Sequence, residues 1–470
     1  MMIFTDQELA QGCQGVLEQA GPLGSISTDT RTITEGVWFV ALVGERFDAH
    51  DFLAQARTQG CAGVIAERVP QDWDRGFIQV SDTLLALQNL ARFARNRFDG
   101  PVVGITGSAG KTTTRQMVGM ALESLGKIHS TKGNFNNHIG LPLSILAAPK
   151  DADIWVLEMG MNALGEIALL QDIAKPTHRL ITNVAAAHLE GLGTIQNVAK
   201  AKGELFDGAR DHDVLFINID DELIAKYPTP ICTKVFVGKH TDAHVQLHLA
   251  ELQGTSTYME VYIQAYSNIS QKTYSLILPS PGLHLAQNAT LAFAVGLSLG
   301  AKPQDIIENL QKYTPVGARL KMETGPTGYQ ILNDVYNANP LSMLSSLQTL
   351  VALPKDRIST KIALLGDMLE MGEKEIEHHE HLIEDILELG IDSVVLVGPR
   401  FTQALTNIIT IKNDSLSTSI SAVPSSEEVL TELQNDKKLP LDGSAAFLCK
   451  GSRGIKMERC IEMLHTYHQK

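Results

Sequence analysis

The sequence has few cysteines, and their spacing excludes several kinds of site. The five cysteines are Cys13, Cys61, Cys232, Cys449 and Cys460, and no two of them have the close spacing of a zinc or redox motif. An odd number of scattered thiols is typical of a reducing compartment. We therefore expect a cytoplasmic protein without a cysteine metal site.

Basic clusters and long hydrophobic runs are also missing. The 470 residues include 39 Lys and Arg against 53 Asp and Glu, a formal net charge of −14, which disfavours a nucleic-acid surface. No run approaches the roughly 20 apolar residues of a membrane-spanning helix. The first residues lack the basic and apolar regions of a secretory leader. We expect neither nucleic acid nor a membrane as a partner.

The most informative segment is the run VVGITGSAGKTTT at 102–114, where an apolar strand leads into a glycine turn, a lysine and a hydroxyl. Glycines let backbone N–H groups converge on an anion, Lys111 adds a positive charge, and the Thr112 hydroxyl can bind Mg²⁺. A standard P-loop has a glycine six residues before the lysine, but that position is Ile105 and the glycine is Gly104. The run therefore predicts a phosphate-binding loop of a particular subtype.

Strand and helix patterns alternate along the chain, which predicts an α/β protein of three domains. Residues 1–98 form a small α/β unit, and Asp99-Gly100-Pro101 marks its end. Residues 99–315 predict a parallel, doubly wound sheet of the P-loop ATPase type, with an antiparallel patch at 244–278. Pro315-Val316-Gly317 marks the second boundary. Residues 316–470 predict a Rossmann-like domain that lacks the dinucleotide glycine fingerprint.

Three residues outside the loop are candidates for chemistry, and each has a plainer alternative. Glu158 ends an apolar strand beside the phosphate loop, where a Mg²⁺ ligand belongs, although a solvated strand-end carboxylate has the same pattern. His188 also follows a strand, and the alternative is a hydrogen-bonded loop histidine. Lys202 has the pattern of an exposed helix lysine. The run EHHEH at 377–381 resembles a metal cluster, but adjacent helix positions point in different directions, so we interpret it as a solvated helix face.

Together these motifs resemble those of the ATP-dependent Mur ligases of peptidoglycan synthesis. The matching positions are the loop, Glu158, His188, AKGE at 201–204, GLH at 282–284, Asn288 and Arg319. Three further runs are similar to the branch of the family that joins D-alanyl-D-alanine to UDP-N-acetylmuramoyl-tripeptide. They are GNFNNHIGLP at 133–142, DVYNANP at 334–340 and LGDMLEMG at 365–372. The resemblance spans all three predicted domains, the first of which would bind the UDP-sugar.

The resemblance implies ATP and Mg²⁺ as cofactors and assigns roles to particular residues. The implied catalytic residues are Lys111, Glu158, His188 and Lys202. Those implied to bind ATP are Gly107, Ser108, Ala109, Gly110, Lys111, Thr112, Thr113, Asn288, Arg319 and Asp334. Those implied to hold Mg²⁺ are Thr112, Glu158, His188 and Lys202, the last as a carbamate. Those implied to face the UDP-sugar or peptide substrates are Thr28, Asp29, Thr30, Arg31, Asp48, Asn134, Asn136, Asn137, Tyr336 and Asn337.

Some of these assignments are more specific than others. By resemblance, Asn288 would contact the adenine, and Arg319 and Asp334 would close on the nucleotide. The stretch GERFD at 44–48 matches a part of the first domain that faces the UDP-sugar, whereas the role of KGSR at 450–453 stays open. The chain departs from the family at Val37, where an acidic residue is usual, and at Asn333, which replaces an aspartate.

The implied reaction is ATP-dependent ligation by a monomer. Joining a carboxylate to an amine in water is uphill, so the tripeptide carboxylate first attacks the γ-phosphorus to give an acyl phosphate and ADP. The amine of D-alanyl-D-alanine then displaces phosphate and gives the pentapeptide precursor of peptidoglycan. The alternatives are a sister ligase that adds a diamino acid as third residue, a P-loop phosphotransferase, and a nucleotide-switched binding module. Against the sister ligase, the sequence has no Asp-Asn-Pro-Arg run.

Overall fold

The computed structural model describes residues 2–44, 47–264, 271–411, 418–435 and 442–466. These residues form three sheets, each accompanied by helices, so the predicted α/β class is confirmed. Glu45 and Arg46, part of the predicted substrate stretch at 44–48, lie outside the described residues. Over the described ranges, no helix combines the length and the apolar character needed to cross a bilayer.

The first sheet has the strand order β1-β5-β4-β3-β2, in which only the β1–β5 pair is antiparallel. Its elements are α1 (Asp6–Cys13), β1 (Val16–Gln19), β2 (Ser25–Ser27), a 3-10 helix (Thr30–Thr32), β3 (Val37–Val40), a 3-10 helix (Ala49–Phe52), α2 (Leu53–Thr58), β4 (Gly63–Ala66), β5 (Gly76–Gln79) and α3 (Thr83–Arg95). Asp82 caps α3 by accepting a hydrogen bond from the Leu85 amide at 2.8 Å. At the other end of α3, Arg95 donates to the carbonyls of Ala174 and Lys175 at 2.6 and 2.9 Å. This helix therefore ties the first sheet to the second.

The second sheet has the order β14-β13-β12-β11-β10-β9-β6-β8-β7. Its elements are β6 (Val102–Thr106), α4 (Lys111–Leu122), a 3-10 helix (Glu123–Leu125), β7 (Ile128–Ser130), α5 (Gly140–Leu146), β8 (Ile154–Glu158), α6 (Glu166–Ala174), β9 (His178–Ile181), α7 (Leu189–Leu192), α8 (Ile195–Asp207), β10 (Val214–Asn218), α9 (Glu222–Ala225), β11 (Thr233–Gly238), β12 (Val245–Gln253), β13 (Ser256–Ile263), β14 (Lys272–Leu278), α10 (Leu283–Ser298) and α11 (Pro303–Leu310). Strands β6 to β12 pair in parallel, and β12, β13 and β14 pair antiparallel, as predicted. The parallel arrangement brings the carboxyl ends of β6, β8 and β9 to one edge, where such sheets bind ligands.

The third sheet has the order β15-β16-β20-β17-β18-β19 and is parallel apart from β15. Its elements are β15 (Lys321–Thr324), β16 (Gln330–Asp334), α12 (Pro340–Val351), β17 (Thr360–Gly366), a 3-10 helix (Gly372–Lys374), α13 (Glu375–Leu389), β18 (Ser393–Val397), α14 (Pro399–Ile411), β19 (Ser419–Val423), α15 (Val429–Asn435), β20 (Ala445–Lys450), a 3-10 helix (Arg453–Ile455) and α16 (Glu458–Thr466). Asp334 and Lys450 end adjacent strands and stand directly opposite in the β16–β20 register.

The run at 377–381 corrects one prediction. Its residues Glu377 and His381 are exposed, but His379 is fully buried. His379 shares the inward face of α13 with Leu382, three residues on, and Ile383, four residues on. Its Nε2 accepts a hydrogen bond from the Met368 amide at 3.0 Å, and its Nδ1 donates to the Glu375 carbonyl at 2.6 Å. The run is thus a half-buried helix face rather than a solvated one.

Candidate active site

A cavity of about 640 Å³ lies between the carboxyl edge of the second sheet and the third sheet. The predicted site residues that line it are Ser108, Ala109, Gly110, Lys111, Thr112, Thr113, Asn134, Asn136, Asn137, Glu158, His188, Asn288, Arg319, Asp334, Tyr336 and Asn337. The described lining does not include Gly107, Lys202, Thr28, Asp29, Thr30, Arg31 or Asp48. The structure therefore brings together most of the predicted nucleotide and peptide residues, whereas Gly107, Lys202 and the first-domain candidates lie outside the lining.

The loop at 107–110 depends on two glycines. A Cβ on Gly107 would lie 1.8 Å from Thr182 Oγ1, and the residue has φ +153°. Gly110, the N-cap of α4, has φ +78°, and a Cβ there would lie 2.9 Å from Asn288 Oδ1. Ile105, at the position of the standard P-loop glycine, is a fully buried residue of β6. The displaced glycine is explained because the strand continues through Ile105 and the turn begins at Gly107.

Asn183 anchors this loop, although the sequence analysis did not select it. Its side-chain oxygen accepts from the Ala109 amide at 2.8 Å, and its side-chain nitrogen donates to the Ala109 carbonyl at 3.0 Å. Its backbone carbonyl accepts from the Ser108 amide at 2.9 Å. Asn183 follows strand β9, which is parallel to β6, so its place at the carboxyl edge was the signal that could have identified it.

Lys111 is held inside the loop. Its ammonium donates to the Gly107 carbonyl at 2.7 Å. Burial lowers the pKa of Lys111, and the nearby Glu158 carboxylate acts in the opposite direction. A cation in this position can exchange a loop carbonyl for a phosphate oxygen.

Glu158 is not the solvated carboxylate that its pattern allowed, because it is only 2% exposed. One carboxylate oxygen accepts from the Thr112 hydroxyl at 2.9 Å, and the other accepts from the Asn136 amide at 2.9 Å. Arg115 Nε, a group that the sequence analysis missed, lies 3.4 Å from the first oxygen. A buried carboxylate therefore stands between the phosphate loop and the segment 134–137.

Lys202 is 1% exposed, so the surface position indicated by its sequence pattern is wrong. It lies on the inward face of α8 with Val198 and Leu205. Among the described residues, no carboxylate forms an ion pair with it. Burial lowers the pKa of Lys202 well below its usual range, and the positive charge of Lys111 lowers it further. Both effects favour the neutral amine of Lys202 over its ammonium form.

Asp334 ends strand β16 of the third sheet, and Arg319 lies just before strand β15. Asp334 accepts from the Leu320 amide at 3.0 Å and from Lys450 Nζ at 2.6 Å. Leu320 is a non-glycine residue with φ +52°. The Arg319 guanidinium lies 3.6 Å from the ring centroid of Tyr336, within cation–π range. Lys450, in the stretch whose role was left open, thus contacts Asp334 and also donates to the Asn337 carbonyl at 3.1 Å.

The first-domain candidates have protein partners. Asp29 caps the 3-10 helix Thr30–Thr32 and forms an exposed ion pair with Arg31 at 2.7 Å. Asp48 accepts hydrogen bonds from the backbone and ring of His50 and from Arg68. The hydrogen bond from the His50 backbone is the main reason that the pKa of Asp48 falls to about 2. These carboxylates hold the local fold.

The donor set fits a nucleotide-bound magnesium ion better than a protein-only metal site. No group of three or more His, Cys, Asp and Glu within the described ranges could hold a metal. Mg²⁺ is usually held by one or two carboxylates together with substrate phosphates. Glu158 and Thr112 supply such oxygens 2.9 Å apart. A second position involving His188 and Lys202 requires the carbamate oxygens that an unmodified lysine lacks.

Comparisons with known proteins agree with this architecture. Residues 105–296 match the Mur ligase middle domain, and residues 318–453 match the Mur ligase, glutamate ligase domain. The UDP-N-acetylmuramoyl-tripeptide--D-alanyl-D-alanine ligase of Escherichia coli is 33% identical, with 99% of each chain covered. A crystal structure of MurF from Acinetobacter baumannii superposes with a TM-score of 0.88 at 30% identity, covering 99% of this chain and 100% of that one. MurF from Thermotoga maritima in complex with ADP has a TM-score of 0.81 at 29% identity, covering 94% of this chain and 97% of that one.

Proposed function

This chain belongs to the Mur ligase family, and we propose that it joins D-alanyl-D-alanine to UDP-N-acetylmuramoyl-tripeptide at the expense of ATP. The observation that carries the proposal is that one cavity combines the phosphate loop, the buried Glu158 and the segment 134–137. Relatives named for this ligation cover the chain almost end to end, and one solved relative holds ADP. The sister-ligase and phosphotransferase alternatives are not favoured.

The reaction needs two anions to approach each other. A carboxylate oxygen of the tripeptide attacks the γ-phosphorus of ATP, the bond to ADP breaks, and an acyl phosphate forms. The amine of D-alanyl-D-alanine then attacks the acyl carbon, loses a proton and expels phosphate. Lys111 offsets the repulsion by moving from the Gly107 carbonyl to the phosphates. When bound, Mg²⁺ would further neutralise the phosphate charge at Thr112 and Glu158.

Lys202 would act as a carbamate in this reaction. The neutral amine attacks the carbon of CO₂, one C=O π bond opens with its electron pair moving to oxygen, and the nitrogen loses a proton. The product is an anionic, carboxylate-like ligand. Burial already favours the neutral amine of Lys202. With Glu158 and His188, the carbamate oxygens would hold the second Mg²⁺ near the γ-phosphate and the tripeptide carboxylate.

The remaining proposals concern the nucleotide and substrate contacts, the domain boundaries and the state of the chain. Asn288 lies against Gly110 and would contact the adenine, and Arg319 and Asp334 would close on the nucleotide. The residues we propose for the UDP-sugar or peptide substrates are Thr28, Asp29, Thr30, Arg31, Asp48, Asn134, Asn136, Asn137, Tyr336 and Asn337. We propose domain boundaries after residues 98 and 315. The chain would act in the cytoplasm, since all five cysteines are free thiols. We propose separately that it acts as a monomer.

Phosphate release with defined substrates tests the function. With ATP, Mg²⁺ and UDP-N-acetylmuramoyl-tripeptide, we expect turnover when D-alanyl-D-alanine is the amine and little with single amino acids. Omitting either the tripeptide or the amine should stop phosphate release, because both are consumed. Turnover with a free diamino acid and the dipeptide precursor, but none with D-alanyl-D-alanine, would assign the sister reaction. A stably phosphorylated acceptor would indicate a phosphotransferase.

Asn183→Ala should raise the KM for ATP about tenfold, because two loop hydrogen bonds of roughly 0.5–1.5 kcal/mol each are lost. The matched control is Asn218→Ala. It removes a 2.7 Å hydrogen bond to the Thr182 carbonyl but no contact with the loop, so its KM for ATP should stay closer to that of the native enzyme. Steady-state kinetics at varied ATP measures both. Equal KM values for the native enzyme and Asn183→Ala would remove Asn183 from the phosphate site.

A further inference from the structure

Glu370 joins the third sheet to the loop that carries His188. Its carboxylate oxygen Oε2 lies 2.8 Å from His188 Nδ1, although the two residues are 182 positions apart in the chain. Beside this contact, the Glu190 amide donates to the Glu370 carbonyl at 3.2 Å. A Cβ on Gly372 would lie 3.1 Å from the Leu189 carbonyl group. The two loops therefore meet closely across the interface between the second and third sheets.

Both partners have unusual backbone conformations. His188 has φ +56° and Glu370 has φ +63°, and neither is glycine. Such conformations persist only where the surroundings determine them, and they concentrate at functional sites. Two hydrogen bonds hold the loop at 367–372 in place: the Met368 amide donates to His379, and the Leu369 amide donates to the Ser452 hydroxyl. The carboxylate is thus presented to His188 by a supported loop.

The contact contributes orientation more than stability. The side chains of His188 and Glu370 are 21% and 55% exposed, and ion pairs with this exposure add little to the free energy of folding. A carboxylate on Nδ1 instead fixes the ring plane and, in the neutral ring, favours the tautomer with the proton on Nδ1 and the lone pair on Nε2. Carboxylates that orient histidines in this way tune sites that bind metals or phosphates.

We propose that Glu370 is a positioning residue that holds His188 with Nδ1 protonated, and that contact of the third domain supplies this carboxylate. His188 is then oriented for the reaction only when the second and third domains are together. The kinetic consequence rests on the proposed function, whereas the tautomer of His188 does not.

Nuclear magnetic resonance of the full chain tests the positioning directly. Protein labelled with ¹⁵N-histidine is measured without nucleotide or metal at one fixed neutral pH, and His188→Gln assigns the ring signal. We expect His188 Nδ1 to be protonated in the native protein and in Glu373→Gln, a control that removes an exposed carboxylate three residues along. In Glu370→Ala, we expect Nδ1 to shift to the position of an unprotonated ring nitrogen. An unchanged His188 signal in Glu370→Ala would overturn the proposal.

Kinetics provides the second readout. In phosphate release, Glu370→Ala should lower kcat about 10- to 100-fold, with a smaller change in the KM for ATP. Glu370→Gln should recover part of the loss, because its amide oxygen still accepts from Nδ1, and Glu373→Gln should match the native enzyme. Native kcat in Glu370→Ala would exclude the positioning role. If the native protein itself shows no turnover, the proposed function fails, and the ring signal alone decides the role of Glu370.

Discussion

Lys202→Ala is expected to lower kcat for phosphate release by about three orders of magnitude, on the scale of losing a key charge-stabilising group. The side chain is 1% exposed and has no carboxylate paired with it among the described residues, so it has no evident structural use for a positive charge. Removing it would take away the proposed carbamate. Formate or acetate should restore part of the activity, because a small carboxylate can occupy the space that the shortened side chain leaves.

The matched control is Lys200→Ala. Lys200 lies two residues earlier on the same helix and is exposed, so its removal should leave kcat unchanged and carboxylates should have no effect. A carbamate signal from ¹³C-bicarbonate in the native protein, absent in Lys202→Ala, would identify the modification directly. Full activity of Lys202→Ala would remove Lys202 from the site.

Gly107→Ala is expected to weaken the binding of ADP by at least about 100-fold, or about 2.7 kcal/mol. The added Cβ would lie 1.8 Å from Thr182 Oγ1, the hydroxyl that donates to the Ala109 carbonyl. Overpacking costs roughly 1–3 kcal/mol, and a forced positive φ adds roughly 1–3 kcal/mol. The turn would have to move away from Thr182, and its amide groups would no longer converge. Calorimetric titration with ADP measures the loss, and circular dichroism checks that the variant remains folded.

Gly119→Ala provides the comparison within the adjoining helix. A Cβ on Gly119 would meet only Ser130 Oγ, at an ordinary 3.6 Å. Alanine in a helix interior is favoured over glycine by roughly 0.5–1 kcal/mol, so this variant should bind ADP normally and melt slightly higher. Native affinity for ADP in Gly107→Ala would show that the loop tolerates a side chain there.

The elements that the sequence predicted well have either a continuous apolar run or a clear helical repeat of apolar residues. The sequence pattern indicated the apolar strand before the phosphate loop, the strand that ends at Glu158 and the helix that carries Lys202, which are β6, β8 and α8. The short strands β1 and β15 were missed, because they have four residues each, are largely exposed, and gain their hydrogen bonds from antiparallel partners. Local periodicity contains no signal for such pairing.

Site residues divide in a similar way. Lys111 and Glu158 were identified because the neighbouring residues, a glycine loop and an apolar strand, already indicate their roles. Asn183 and Glu370 were missed because each acts on a residue 74 or 182 positions away. Burial of Lys202 could have been anticipated from its place four residues after Val198 and three before Leu205, on the apolar side of its helix.

The hydrogen bond from the Leu320 amide to Asp334 also fixes the start of the third domain to its own sheet. Leu320 is fastened to the end of strand β16, and Arg319 is stacked on Tyr336 just beyond that end. Any movement of the third domain relative to the second would therefore carry both residues with it. Gly317, two residues before Arg319, has φ +66° and open space where a Cβ would lie. A rotation of the third domain at this glycine would shift the Arg319 guanidinium relative to the phosphate loop.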